Sequence, residues 1–198
     1  MAGDSNEMMD GFQMLGLKRS ASMDEEVLQQ AYAKLSREEH PDHGGSDATA
    51  AAVNQAFETL RVPELRLKHL LELAGPEEVK AWRTVPLDDG MMTIFGRLGA
   101  MLQKASAMAV KLEGARSALV KALLADGVLK LRDELEQLGM EIAGKKEEME
   151  AQLADLDGRL ETGEQEAWKE LASLQARFAY LGRWRGQIRE SLLLLTVD

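Results

Sequence analysis

The chain of 198 residues has no cysteine, only four prolines, and few aromatic side chains, 5% of the total. Without cysteine there is no disulfide scaffold, thiolate zinc site, cysteine nucleophile or thiolate-held iron–sulfur cluster on this chain. The prolines stand at positions 41, 63, 76 and 86, so no proline interrupts a helix after 86. Long apolar runs are also missing. The longest span four residues, such as Leu192–Leu195, against the roughly 20 that a membrane-spanning helix needs. Residues Met1 to Asp10 have neither a basic n-region nor an apolar h-region, so no targeting segment is expected and a cytoplasmic location is.

What is present points to a folded, acidic, helical protein. A hydrophobic content of 45% argues against wholesale disorder. The length suits one domain or two small ones. A formal net charge of −10 disfavours nucleic acid or an anionic membrane as the main partner, because either demands a cationic footprint.

Apolar spacing predicts helices and no strands. Leu131, Leu135, Leu138, Ile142, Met149, Leu153, Leu156 and Leu160 recur in steps of three and four, with one gap at Lys145. After a break at Thr162-Gly163, a second stripe runs Ala167, Leu171, Leu174, Phe178, Leu181, Trp184, Ile188, Leu192 and Leu195. An earlier segment carries Met91, Phe95, Leu98, Met101, Leu102, Ala105 and Met108. Three helices with short connections imply a mostly antiparallel bundle. The same seam is compatible with a dimeric coiled coil, so a homodimer stays open. Gly75-Pro76 is a helix-stop signal that divides this region from the first 75 residues.

The informative motif is His40-Pro41-Asp42. A short helix around Gly11 to Leu17 and an amphipathic helix over about Asp24 to Glu39 precede it. Asp24 or Ser22 suits the cap of the longer helix, with Glu25 and Glu26 in its first turn. The loop His43-Gly44-Gly45-Ser46 follows, and a third helix from Asp47 to Leu60 contains Asn54-Gln55-Ala56-Phe57. Pro41 fixes its own φ and pushes His40 out of helical geometry, so it ends the second helix and sets the turn. His40 and Asp42 then project from a constrained loop as hydrogen-bonding groups. A metal site on His40, Asp42 and His43 lacks a fourth ligand nearby.

This order of elements around H-P-D, with Phe12, Leu15, Gly16, Tyr32, Leu35, Asn54, Ala56 and Phe57 in place, resembles the J-domain of DnaJ-type co-chaperones. The run Thr59-Leu60-Arg61-Val62-Pro63-Glu64-Leu65-Arg66-Leu67-Lys68-His69-Leu70-Leu71-Glu72-Leu73-Ala74-Gly75 narrows the likeness to HscB, the iron–sulfur cluster assembly co-chaperone. His69 stands where that family usually has tyrosine. Glu166-Ala167-Trp168 and the stretch from Arg177 to Arg185 resemble the last helix of the same family.

The resemblance implies an all-α fold: a J-domain (helical hairpin with an H-P-D loop) followed by an antiparallel three-helix bundle or long helical hairpin. It sets a short N-terminal segment at 1–9, the J-domain at 10–75, a linker at 76–90 and a client-binding helical domain at 91–198. It implies no enzyme activity of the chain's own, no metal and no cofactor. The expected role is to stimulate ATP hydrolysis by a 70-kDa heat-shock chaperone of the HscA or DnaK type and to deliver a client, foremost an iron–sulfur scaffold protein of the IscU type.

The chaperone would meet His40, Pro41, Asp42, Lys34, Arg37 and Tyr32. The client would meet Met91, Met92, Phe95, Leu98, Leu102, Tyr180 and Arg185. Departures from the family pattern accompany these matches. Gln29 and Ala33 occupy helix-two positions where many J-domains carry a cation, and Glu38-Glu39 replaces a basic–tyrosine pair. Residues 1–75 hold 13 acidic against 7 basic side chains. After Asp88 and Asp89 no glutamate occurs until Glu113, where relatives interleave several among the apolar anchors. Two other readings therefore stay open: a J-domain adaptor for a different client, and a coiled-coil structural protein with a degenerate J-like head.

Overall fold

A computed structural model describes residues 9–38, 46–80 and 85–196. Among the described residues the elements are helices α1 (Gly11–Met14), α2 (Glu25–Glu38), α3 (Asp47–Arg61), α4 (Pro63–Ala74), α5 (Glu77–Lys80), α6 (Asp89–Gly114), α7 (Ala118–Glu150), α8 (Leu153–Glu161) and α9 (Gln165–Leu194). No strand is found among them, so the all-α expectation holds. No described helix is long and apolar enough to cross a membrane. The chain forms two compact units: residues 1–84 with 150–176, and residues 85–149 with 177–198.

In the first unit the short helix α1 is fixed at both ends. Asp10 caps it, its carboxylate accepting from the Phe12 and Gln13 amides, and Gly16 takes the left-handed conformation (φ 65°) just beyond it. Asp24, not Ser22, caps α2, accepting from the Glu26 and Val27 amides. Val62 is extended (φ −95°, ψ 114°) because Pro63 follows it. Proline then opens α4 at a position where its missing N–H costs nothing. The core draws Phe12, Leu15, Leu28, Val53, Ala56, Leu60, Leu67 and Leu70 from α1 to α4. It draws Leu153, Leu156, Ala167 and Leu171 from α8 and α9.

Two polar devices hold this unit together. Buried Arg66 donates from Nε to the Ala21 carbonyl (2.8 Å) and from Nη1 to the Leu60 carbonyl (2.7 Å). Burial pushes its guanidinium down to about 10, against the favourable fields of Glu150 and Asp157, so it remains charged at neutral pH. Asp157 of α8 accepts from the Ser20 hydroxyl, the Ala21 amide, and both the amide and hydroxyl of Ser22. Lys18 pairs with Glu161 beside it. The loop between α1 and α2 is thereby fastened to α8.

The second unit is a three-helix bundle whose directions follow from its pairings. Arg97 meets Glu141 and Lys104 meets Glu134, so α6 and α7 run antiparallel. Arg132 donates to the Leu192 carbonyl while Ile188 packs at Gly139, so α7 and α9 are antiparallel too. Asp88 meets Arg177 and Phe95 meets Trp184, so α6 and α9 run parallel. The core comprises Met91, Ile94, Leu98 and Ala105 of α6, then Leu131, Leu135, Leu138 and Ile142 of α7. Phe178, Leu181, Trp184 and Ile188 of α9 complete it.

Both long apolar stripes read from the sequence therefore face cores. One detail differs. The stripe through Met149 and Leu153 is interrupted at Ala151–Gln152, which separates α7 from α8. Gln152 stays near helical geometry (φ −84°, ψ −16°), so the side-chain period continues across the break. The Thr162-Gly163 turn is as expected, with Gly163 left-handed (φ 78°). Arg159 braces that turn, donating to Glu164 (2.8 and 3.0 Å) and Glu170 (2.6 Å).

Candidate chaperone-docking and client-binding surfaces

His40, Pro41 and Asp42 lie outside the described residues. Their frame does not. On one side the described part of α2 runs to Glu38. On the other, Ser46 caps α3, its hydroxyl accepting from the Thr49 amide at 3.1 Å. The α2–α3 pair that carries this frame is joined by Tyr32, whose ring stacks on Phe57 (centroids 4.3 Å apart) and whose hydroxyl donates to Asn54 Oδ1 at 2.8 Å. Both polar and apolar parts of Tyr32 are thus engaged with α3. Asn54 and Phe57, which the sequence motif groups with Tyr32, are its partners.

Lys34 and Arg37 are exposed, and their spacing of three puts them on one face of α2. Arg37 donates from Nε back to the Ala33 carbonyl at 3.0 Å. Glu38, the next residue of the same helix, is exposed, so the cationic pair has an anion as its neighbour.

His69 occupies a buried position under α1. Its Nε2 accepts the Gly11 amide at 3.0 Å, and its ring stacks on Phe12 at 5.8 Å. Burial lowers its pKa below the usual histidine value; Asp10 and Glu72 raise it, and Arg19 lowers it further. A ring nitrogen that accepts a hydrogen bond must be unprotonated, so the structure needs the neutral imidazole here. No sequence signal marked this contact, because it depends on two residues 58 positions apart. Arg66 and Asp157 were missed for the same reason: Arg66 reaches the Ala21 carbonyl and Asp157 reaches Ser20, Ala21 and Ser22, all distant in sequence.

The seven sequence-selected client residues separate by burial. Met91 (0% exposed) and Leu98 (1%) are closed inside the second unit and present no surface. Helical spacing turns them inward with Ile94, whereas Met92 (52%) and Phe95 (51%) turn outward. Leu102 is half-buried, Tyr180 is half-buried and Arg185 is exposed. Phe95, Trp184 and Tyr180 form a continuous aromatic row, with centroids 5.9 and 6.2 Å apart, and the Arg183 guanidinium lies 5.9 Å above the Tyr180 ring. Trp184 and Arg183 are absent from that set, yet Trp184 connects Phe95 to Tyr180 and Arg183 covers the Tyr180 ring.

Among the described residues no cluster of histidine and carboxylate side chains could hold a metal ion.

The DnaJ domain pattern matches residues 10–69. Over 64 residues the chain is 39% identical to the tetratricopeptide repeat and J domain-containing co-chaperone DNJ1 of Mycosarcoma maydis, and 38% identical to that of Cryptococcus neoformans. These matches cover 32% of this chain in each case, but only 11% and 12% of the relatives.

Over nearly its whole length the chain is similar in structure to chaperone HscB from Vibrio cholerae, with a TM-score of 0.55 at 19% identity, covering 95% of this chain and 100% of that one. Human co-chaperone HscB gives a TM-score of 0.52 at 20% identity, covering 96% and 84%. Residues 10–69 are a DnaJ domain, and the chain that carries them has the fold of the HscB co-chaperones.

Proposed function

We propose that this chain is a co-chaperone whose H-P-D loop, with Lys34 and Arg37, docks on a 70-kDa heat-shock chaperone of the HscA or DnaK type and raises its ATP turnover. The single observation that carries the reading is the DnaJ domain match at 10–69, in which α2 and α3 flank in sequence the segment that contains His40, Pro41 and Asp42. The loop needs no chemistry of its own. By binding one chaperone state more tightly than another, it shifts the partner toward the state that hydrolyses ATP. Tyr32 belongs to the positioning of that loop, since its side chain is spent on α3.

The second unit is the client carrier, with Met92, Phe95, Leu102, Tyr180 and Arg185 as its contacts. The client best supported is an iron–sulfur scaffold of the IscU type, because the likeness to HscB extends through the bundle. The carrier has no cysteine, so any cluster would be ligated by the scaffold alone.

Two measurements test this. Steady-state ATP turnover by the chaperone rises with this protein added and fails to rise with His40→Gln. Calorimetric titration with the scaffold gives saturable binding that Met92→Ala with Phe95→Ala abolishes. The run from Gly90 to Leu112, which contains no acidic residue, favours a second reading in which the client is a different protein. Recovery of another dominant partner in a pull-down, with no scaffold binding, selects it.

A further inference from the structure

Charge is unevenly distributed over the second unit. Residues 90–112 of α6 and 177–189 of α9 contain seven cations and no anion, in a chain whose net charge is −10. Three of the seven are used internally: Arg97 by Glu141, Lys104 by Glu134 and Arg177 by Asp88. Among the described residues no ion pair involves Arg183, Arg185 or Arg189. Arg183 lies at the Tyr180 end of the aromatic row, its guanidinium 5.9 Å above the Tyr180 ring.

The shape of α6 beside that row is equally specific. Met92 and Phe95 are about half exposed, and the next turn presents Gly96 and Gly99, where an added Cβ would meet nothing within 4 Å. Two exposed apolar anchors followed by bare backbone allow another helix to approach closely. An arginine over an aromatic ring keeps its outward N–H groups available for a carboxylate.

From these features we infer that the α6–α9 face binds an acidic amphipathic helix of its protein client, whose apolar side covers Met92 and Phe95 and whose carboxylates meet Arg183. This rests on the client-carrier reading and specifies the client's chemistry. The exposed apolar anchors Met92 and Phe95 and the bare backbone at Gly96 and Gly99 favour a helical peptide over nucleic acid or an anionic lipid surface.

The probes are two fluorescein-labelled amphipathic helical peptides, one with leucine and glutamate on helical spacing and the other with lysine for every glutamate. Anisotropy titrations use the full chain. The glutamate peptide binds at least about tenfold more tightly, the preference shrinks with added salt, and Arg183→Glu removes it. Arg183 is exposed, and circular dichroism checks that the variant folds. Phe95→Ala weakens the glutamate peptide without changing the sign of the charge preference.

Equal binding of the two peptides, or an unchanged preference in Arg183→Glu, overturns the inference. So does tighter binding of a single-stranded oligonucleotide or anionic phospholipid vesicles than of the glutamate peptide. Titration with the scaffold protein separates this claim from the one beneath it. Scaffold binding that Arg183→Glu leaves unchanged keeps the carrier reading and overturns the acidic-helix inference. Glutamate-peptide binding without scaffold binding keeps the inference and overturns the scaffold as client.

Discussion

Asp157 and Ser22 are joined twice: the Ser22 hydroxyl and the Ser22 amide both donate to Asp157 Oδ2, at 2.6 and 2.9 Å. With Ser20 and Ala21 on the same carboxylate, one side chain of α8 satisfies four donors of the loop that connects α1 to α2. A carboxylate is the side chain that accepts from so many donors without offering one of its own.

Asp157→Asn keeps the size but replaces one acceptor oxygen with a donor, which turns toward donors that need an acceptor. The expected loss is about 2 kcal/mol of stability, against about 1 kcal/mol for Ser22→Ala. Urea denaturation checks both. Equal midpoints for Asp157→Asn and wild type would show that the loop is held by other means.

Arg66 satisfies two carbonyls in the interior of the first unit. Arg66→Met fills a similar space but leaves the Ala21 and Leu60 carbonyls without these donors. Stability should fall by about 2–4 kcal/mol. Arg66→Lys, with one compact head in place of a fork, should recover only part of that loss.

His69 gives the first unit a pH dependence with a definite sign. Its folded pKa is lowered by burial, so the unfolded chain binds the proton more readily. Its contribution is fully present above the unfolded value near 6.5, and it is lost as pH falls from there through the lowered folded value. Protonation removes the acceptor of the Gly11 amide, so α1 should loosen first. Denaturation midpoints at pH 7.5 and 5.5 should differ more in wild type than in His69→Gln. Equal differences in the two proteins would show that the imidazole is not the titrating group.

Tyr32 and the exposed cations of α2 should separate in the chaperone assay. Tyr32→Phe loses the hydrogen bond to Asn54 but keeps the stack on Phe57, so stimulation of ATP turnover should persist at a stability cost of about 1 kcal/mol or less. Lys34→Ala with Arg37→Ala should weaken chaperone association about tenfold and lessen its salt dependence. A full loss of stimulation in Tyr32→Phe would place its hydroxyl in the chaperone contact itself.

Helix positions and the core were legible in the sequence because period and burial coincide: Leu131 to Ile142 and Leu171 to Ile188 read as stripes and are found packed inward. The client set was legible only as a segment. Apolar residue type does not say which side of α6 faces outward, and Met91 and Leu98 fall inside while Met92 and Phe95 fall outside. The polar ties at Arg66, His69 and Asp157 were not legible, because each joins residues 45 or more positions apart. Nothing in the local pattern of α4 or α8 announces a loop carbonyl or amide as the partner.

The central claim is that the DnaJ domain at 10–69 couples to a chaperone's ATPase. Single-turnover hydrolysis by the chaperone, with wild-type protein and with His40→Gln at equal concentration, tests it most directly. The account predicts a faster rate with wild type and the unstimulated rate with His40→Gln, both proteins being equally folded by circular dichroism. Stimulation of equal size by the two proteins, or by neither, would contradict it.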